Sequence, residues 1–203
     1  MGKLIPEAYR LGEWDFYNIT LKITPAVLIP RPDSEHLVEV ALEYISSRGL
    51  ASARILDLCC GSGCIGLAIA ANAPGARVTY ADISEPALEV ARSNGCRDIL
   101  RLDALKPPPE HLLKKFHLLV CNPPYVAHGD PALDDSVLSH EPHIALFGGE
   151  DGFDFYRSLF AHWTDAVKPD GLFAVEVGYN QAQKAAWAAL AAGRLDDLMG
   201  GLP

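Results

Sequence analysis

Short apolar runs and amphipathic helical patterns alternate along most of the chain. Four runs are typical of buried strands, namely ARILDL, RVTYAD, FHLLVC and LFAVEVG. The intervening and following segments have the period of helices, namely CIGLAIAANAP, SEPALEVARSN with Ser84 as the N-cap, DGFDFYRSLFAHWTDAVKPDG and QAQKAAWAALAAG. Because strands that alternate with helices pair in parallel, the pattern predicts an α/β fold, a mostly parallel sheet with helices on both faces.

A different pattern precedes this alternation. The segment GEWDFYNITLKITPAVLIP alternates as strands do around a turn near Asn18, which predicts a β-hairpin that leads into an extended arm. Next, RPDSEHLVEVALEYISSRG places Pro32, Asp33 and Glu35 at the opening of a helix that stops at Gly49. We therefore expect an N-terminal part at residues 1–30, containing the hairpin and arm, and a main domain at residues 31–203.

The first strand of the alternation runs into a glycine-rich loop. In ILDLCCGSGCIG, Asp57 lies on the strand, and Gly61, Gly63 and Gly66 follow it. Glycines allow a tight turn and close approach to a ligand, and the next helix presents its N-terminal N–H groups. By itself this GxGxxG pattern fits NAD or FAD, another nucleoside cofactor, or a turn with a purely structural role.

Carboxylates are predicted at the ends of the next two strands. Asp82 ends RVTYAD and could accept two hydrogen bonds from a ribose diol, as required by NAD and by S-adenosylmethionine alike. The alternative is a helix-capping or solvated carboxylate just before Ser84. Asp103, in the short segment LDAL, would lie at the end of a third strand near an adenine.

The strand FHLLVC stops abruptly at NPPY, residues 122–125. Pro123 and Pro124 have no backbone N–H, so carbonyl oxygens and the Asn122 side-chain oxygen remain as acceptors. Two acceptors can bind both hydrogens of an amide or amino group, and Tyr125 offers an aromatic wall. The alternative is a rigid turn in which Asn122 is simply a turn former.

Composition and charge disfavour several classes of function. The 203 residues carry a net charge of −9, from 17 Lys and Arg against 26 Asp and Glu, which disfavours a nucleic-acid partner. No segment approaches the roughly 20 apolar residues of a membrane helix, and residues 1–7 lack a signal-peptide core, so we expect a cytoplasmic protein without a membrane partner. Five cysteines without a CxxC pair indicate reduced thiols, and we expect no metal site.

Taken in their order along the chain, the glycine-rich loop, the strand-end carboxylates and NPPY resemble those of class I S-adenosylmethionine-dependent methyltransferases. These enzymes have a Rossmann-like fold. Further segments look like the protein-(glutamine-N5) methyltransferases of the HemK/PrmC family, which methylate the glutamine of the Gly-Gly-Gln motif in peptide chain release factors. The resemblance covers roughly residues 11–192 and rests on GEWDFYNITLKITPAVLIPRPDSEHLVE, DLCCGSGCIGLAIA, NPPY and HEPHIALFGGEDGFDFYRSL.

The resemblance implies a role for each matching residue. Residues 31–203 would form the catalytic domain. Asn122, Pro123, Pro124 and Tyr125 would be catalytic and would bind the substrate amide together with Arg31, whose alternative role is a structural ion pair. The cofactor S-adenosylmethionine, which leaves as S-adenosylhomocysteine, would contact Asp57, Cys59, Cys60, Gly61, Ser62, Gly63, Asp82, Ile83, Asp103, Ala104 and Asn122.

Some positions depart from the family pattern. Cys59 and Cys60 stand where the family usually has glycine and threonine, and Ala104 replaces a tryptophan seen in some members. Only residues 1–11 precede the hairpin, where the family has a helical domain. The connection between Asn94 and Leu102 is shorter than we expect for a helix-to-strand crossover.

Three alternatives to release-factor methylation remain open from the sequence. The first is a methyltransferase for a ribosomal protein glutamine or a nucleobase amino group. The second is an NAD-dependent oxidoreductase, which would leave NPPY unexplained. The third is a non-catalytic module that binds a nucleotide.

Overall fold

The computed structural model describes residues 4–191, which contain a five-stranded parallel sheet and a separate hairpin. The strands are β1 Glu13–Phe16, β2 Ile19–Lys22, β3 Arg54–Leu58, β4 Arg77–Asp82, β5 Asp98–Arg101, β6 Phe116–Cys121 and β7 Val167–Val175. The sheet order is β5-β4-β3-β6-β7. The chain thus winds outward from β3 to β5 and then returns to the other side of β3. This reversal opens a crevice at the carboxyl ends of β3 and β6.

Helices cover both faces of the sheet, as predicted. They are α1 Glu7–Leu11, α2 Glu35–Ser47, α3 Cys64–Asn72, α4 Glu85–Ser93, α5 Asp135–His140, α6 Asp154–His162 and α7 Ala182–Ala191. Successive strand residues point to opposite faces. Ile55 and Leu118 accordingly pack with α2 and α3, whereas Leu56 and Leu119 pack with α6. Each such fully buried side chain stabilises the fold by roughly 2 kcal/mol.

The predicted hairpin and arm are present. β1 and β2 pair in antiparallel register around Tyr17 and Asn18, with Phe16 opposite Ile19. Phe16 and Leu21 are buried in the same apolar cluster as residues of α2 and α3. The arm then enters α2 through a 3₁₀ turn at Pro32–Ser34. The hairpin is therefore packed on the sheet domain and helps to hold the arm beside the crevice.

The predicted end of the helix DGFDFYRSLFAHWTDAVKPDG is wrong. Residues 167–171, assigned from sequence to the helix end and its turn, are the first part of β7. The α-helix ends at His162, and a 3₁₀ turn, Trp163–Ala166, follows it. Pro169 is tolerated because β7 is an edge strand of this sheet and its register shifts between Phe116 and Leu118 of β6.

The short connection after Asn94 is long enough to join α4 to β5. β5 occupies part of it, and α4 itself provides the crossover between the parallel strands β4 and β5. The last predicted helix is present as α7, but its predicted stop at Gly193 lies outside the described residues. No helix among residues 4–191 is long and apolar enough to cross a membrane.

Candidate functional site

A cleft lies at the carboxyl ends of the sheet strands, where the topology predicts a ligand site. It brings together ten of the predicted site residues, namely Arg31, Cys59, Cys60, Gly61, Ser62, Asp82, Ile83, Ala104, Asn122 and Pro124. Five others are not part of its lining, namely Asp57, Gly63, Asp103, Pro123 and Tyr125. Residues of the arm, among them Ser34, form one wall, and Phe155 of α6 contributes to another.

The glycine loop gives the cleft its floor. A side chain at Gly61, whose φ is +54°, would meet no atom within 4 Å, so the backbone is open to a ligand there. At Gly66 the reverse holds, because an added Cβ would lie 2.5 Å from the Tyr80 ring. Cys59 has a φ of +59°, a left-handed conformation that glycine adopts without strain.

Asp57 is a buried carboxylate whose two oxygens differ in their hydrogen bonding. Its Oδ2 accepts a hydrogen bond from the backbone N–H of Gly66 at 2.9 Å. Its Oδ1, like the hydroxyl oxygen of Ser62, is buried without a hydrogen-bond partner among residues 4–191. Burial is the main cause that raises the pKa of Asp57 to about 7; the Gly66 hydrogen bond opposes the rise, and nearby Asp82 adds to it. This end of the site is therefore suited to a ligand with cationic hydrogen-bond donors.

Asp82 holds the glycine loop against the end of β4. Its Oδ2 accepts from the N–H of Gly61 and its Oδ1 from the N–H of Ser84, both at 2.9 Å. Ser84 in turn caps α4, as predicted, by accepting from the N–H of Ala87. Burial raises the pKa of Asp82. Because each carboxylate oxygen has two lone pairs, Asp82 can organise the loop and still accept from a diol in the cleft.

The far end of the cleft is apolar. Leu102, Ala104 and Phe155 line it, and they could pack against a flat ring. The carboxylate of Asp103 is instead engaged locally, since its Oδ1 accepts from the N–H of Leu105 at 3.0 Å and its Oδ2 lies 3.5 Å from the Lys106 ammonium. Of the predicted adenine-side pair, Ala104 lines the cleft and Asp103 does not.

The NPPY loop begins where β6 ends. Asn122 lines the cleft, and its Nδ2 donates to the Ser34 hydroxyl at 3.0 Å. The same hydroxyl donates to Glu176 Oε2 at 2.6 Å, and the Tyr125 hydroxyl lies 3.4 Å from Glu176 Oε1. Tyr125 thus faces Glu176 rather than standing as a wall of the cleft.

Arg31 forms the structural ion pair that was its alternative role. Its guanidinium donates to Glu141, whose carboxylate also accepts from the backbone N–H of Ile29 at 3.1 Å. Glu141 is 5% exposed and belongs to the segment HEPHIAL. Arg31 nevertheless lines the cleft, so the ion pair fixes a cation at its edge.

The sequence reasoning missed Ser34, which lines the cleft, and Glu176, which accepts a hydrogen bond from it. Glu176 directly follows β7, but the predicted strand LFAVEVG continued past it to Gly178, so the strand-end rule did not select it. Ser34 lies within RPDSE, a segment from which only Arg31 was chosen. No group of His, Cys, Asp and Glu within residues 4–191 is arranged to hold a metal ion.

The comparisons with known proteins agree on the type of protein. The family model described as "Methyltransferase small domain" matches residues 35–140. Together with the sheet order and the glycine loop, this match defines a Rossmann-like methyltransferase. A curated release factor glutamine methyltransferase from Streptococcus pneumoniae is 41% identical over 180 residues, and one from Thermodesulfovibrio yellowstonii is 40% identical over 195 residues. The chain belongs to the release factor glutamine methyltransferase family.

Each match covers most of this chain but a smaller share of the curated relative. The match covers 88% of this chain but 63% of the Streptococcus protein, and 93% of this chain but 69% of the Thermodesulfovibrio protein. Among solved structures, the protein-(glutamine-N5) methyltransferase (release factor-specific) of Alicyclobacillus acidocaldarius is 28% identical, with a TM-score of 0.48 over 84% of this chain and 83% of that chain.

Proposed function

We propose that this chain transfers a methyl group from S-adenosylmethionine to the side-chain amide nitrogen N5 of the glutamine in the Gly-Gly-Gln motif of peptide chain release factors. The observation that carries the proposal is the position of Asn122. It is the first residue of NPPY, and it lines the same cleft as the glycine loop. A substrate amide and a nucleoside cofactor could therefore meet in one cleft. The family to which the chain belongs favours the same reaction.

The residues of the cleft fit S-adenosylmethionine. This cofactor supplies an electrophilic methyl group when bound. Its positively charged methionine part suits the buried and incompletely paired Asp57 and the open backbone at Gly61. Asp82 would accept from the ribose diol, and the apolar end at Ala104 would pack on the adenine, with Ile83 beside it. Cys59, Cys60 and Ser62 would complete the loop around the methionine part, and Gly63 would close the turn.

NPPY would position the substrate nitrogen. An amide nitrogen is a weak nucleophile because its lone pair is delocalised into the carbonyl, so orientation must supply much of the rate. Asn122 Oδ1 and the Pro123 carbonyl would each accept one of the two N–H groups. Pro124 forms part of the cleft wall, and Tyr125 supports the loop from behind. For Asp103 we propose only that it stabilises its own loop.

The alternatives differ in what supports them. Family membership removes the NAD-dependent oxidoreductase, and the net charge of −9 disfavours a nucleobase as the acceptor. A ribosomal protein glutamine offers the same amide chemistry, so it is the acceptor against which release factors should be tested. A release factor is the partner that we propose.

The variant Asn122→Ala tests the proposal. We expect it to bind S-adenosylmethionine with nearly wild-type affinity, because Asp57, Asp82 and the glycine loop remain. Its turnover with a release factor should fall about a hundredfold or more, as when one positioned hydrogen-bonding group is lost from an active site. Calorimetry gives the affinity, and transfer of labelled methyl gives the turnover. A variant that turns over normally would exclude this role of NPPY, and a non-catalytic module would show no turnover even in the wild type.

A further inference from the structure

A chain of hydrogen bonds runs from the NPPY loop through the arm to the end of β7. Asn122 Nδ2 donates to Ser34 Oγ at 3.0 Å, and Ser34 Oγ donates to Glu176 Oε2 at 2.6 Å. Ser34 is 2% exposed, so water cannot readily replace either partner. The contacts join residues that are 88 and 142 positions apart in the sequence. Three separate segments thus converge on one hydroxyl group beside the cleft.

The single proton of this hydroxyl decides how Asn122 is oriented. An ionised carboxylate is only an acceptor, so Ser34 must give its proton to Glu176. Ser34 can then only accept from Asn122, which must present its NH2 group to Ser34. The Asn122 oxygen is consequently on the side away from Ser34, where it is available to the cleft. The opposite orientation would leave the oxygens of Asn122 and Ser34 facing each other without a proton between them.

We propose that Ser34 and Glu176 are positioning residues that hold the Asn122 oxygen toward the substrate amide. This inference rests on the proposed methylation of an amide, and it adds the two groups that fix the acceptor. Without them, the Asn122 amide could turn by half a rotation and present its NH2 group to the substrate. Two NH2 groups would then face each other, and the substrate nitrogen would lose one of its two acceptors.

The ionisation of Glu176 should therefore matter for turnover. Burial raises the pKa of Glu176 above its usual range, while the hydrogen bonds that Ser34 and Tyr125 donate oppose the rise. The other titratable groups that act on it electrostatically are Asp33 in the arm, Cys64 in α3 and Tyr156 in α6. A protonated Glu176 could donate to Ser34, which could then donate to Asn122 and favour the wrong orientation.

Turnover of the wild type and three variants at saturating cofactor and release factor tests the inference. We expect Ser34→Ala to lower kcat about tenfold or more, the cost of one well-placed hydrogen bond, while the affinity for S-adenosylmethionine stays within about twofold. Ser34→Thr keeps the hydroxyl and should recover most of the lost kcat. Wild-type kcat should fall on the acid side as Glu176 is protonated, and Glu176→Gln, with a lower kcat throughout, should lack this fall.

Several outcomes would overturn the inference. They are a Ser34→Ala enzyme with wild-type kcat, equal losses in the Ala and Thr variants, or an unchanged acid-side fall in Glu176→Gln. Should thermal unfolding show that a variant does not fold, the wild-type pH profile tests the inference, and a kcat that does not fall on the acid side would contradict the role of Glu176. Failure of the proposed function is distinguishable, because the wild type itself would then methylate no glutamine.

Discussion

The Arg31 guanidinium donates to the Glu141 carboxylate, which joins the arm to a segment 110 positions later in the chain. The Glu141 carboxylate is almost fully buried, whereas about a third of the Arg31 side chain is exposed. Glu141 also holds the backbone N–H of Ile29, so it fixes the arm at two points. The pair therefore supports the wall of the cleft that contains Ser34.

Removing this pair should loosen the arm. We expect Glu141→Gln to lower the free energy of unfolding by about 1–3 kcal/mol, because a buried charged acceptor for two donors is lost. In a double-mutant cycle with Arg31→Gln, the coupling should be about 1 kcal/mol, less than for a fully buried pair. Urea unfolding measures the cycle. Effects that add within about 0.4 kcal/mol would show that the contact has no energetic role.

The same two variants separate the two roles of Arg31. If Arg31 acts through the arm, both should raise the KM for a release factor by a similar factor and should increase hydrogen exchange at the Ile29 amide. A rise in KM for Arg31→Gln alone, with unchanged exchange at Ile29, would instead favour direct contact with the substrate.

Asp57 should make the stability of the cofactor-free protein depend on pH. Its folded pKa is about 7, against an ordinary value of 3.8. Between these values the folded state keeps a proton that the unfolded state has lost, so stability should fall as the pH rises from about 4 to 7. Asp57→Asn should flatten this dependence by roughly 1–4 kcal/mol. Urea unfolding at pH 5 and pH 7.5 measures this dependence. If the free energy of unfolding changed equally with pH in both proteins, Asp57 would not be its source.

Cofactor binding should depend on Asp57 in the opposite sense. The positive charge of S-adenosylmethionine favours the ionised carboxylate, so wild-type affinity should increase as the pH rises through about 7. Asp57→Asn should bind about tenfold or more weakly above this pH, in keeping with the loss of a charge-assisted hydrogen bond. Calorimetry across the pH range measures both effects. An affinity that is independent of pH in the wild type would remove Asp57 from the binding site.

At position 59, glycine should give a more stable protein than alanine, although alanine is usually the more stabilising of the two residues. The φ of +59° at Cys59 strains any residue with a Cβ. Cys59→Gly and Cys59→Ala both remove the thiol, and they differ only in the Cβ. We expect the glycine variant to be more stable by about 1 kcal/mol, measured by urea unfolding. A more stable alanine variant would mean that the loop is not held in this conformation.

Sequence reasoning succeeded where the signal was local. The period of the apolar residues predicted the strands and helices of the sheet, and the turn at Asn18 predicted the hairpin. Strand ends led to Asp82 and Asn122, which line one cleft because the carboxyl ends of parallel strands meet at one edge. The same reasoning gave no reason to expect a non-glycine residue in the left-handed conformation at Cys59.

Two of the differences between prediction and structure have a physical origin in long-range contacts. Lys168 to Gly171 have the composition of a turn, yet they belong to β7, because Val167 and Leu172 on either side of them pair with β6. Ser34 and Glu176 are far apart in the sequence, and only the folded arm brings the hydroxyl to the carboxylate. For Asp103, which its position at a strand end placed near the adenine, the contact is local, because its carboxylate accepts from the N–H of Leu105, two residues later.

The central claim is that Asn122 presents a glutamine amide for methylation, and mass spectrometry of the product tests it most directly. An unmethylated release factor would be incubated with this protein and S-adenosylmethionine, and its Gly-Gly-Gln peptide would be sequenced, with a ribosomal protein as a parallel acceptor. We expect one added methyl group on that glutamine with the wild type and none with Asn122→Ala. A release factor left unmethylated by a protein that binds the cofactor, or methylated equally well by Asn122→Ala, would contradict the account.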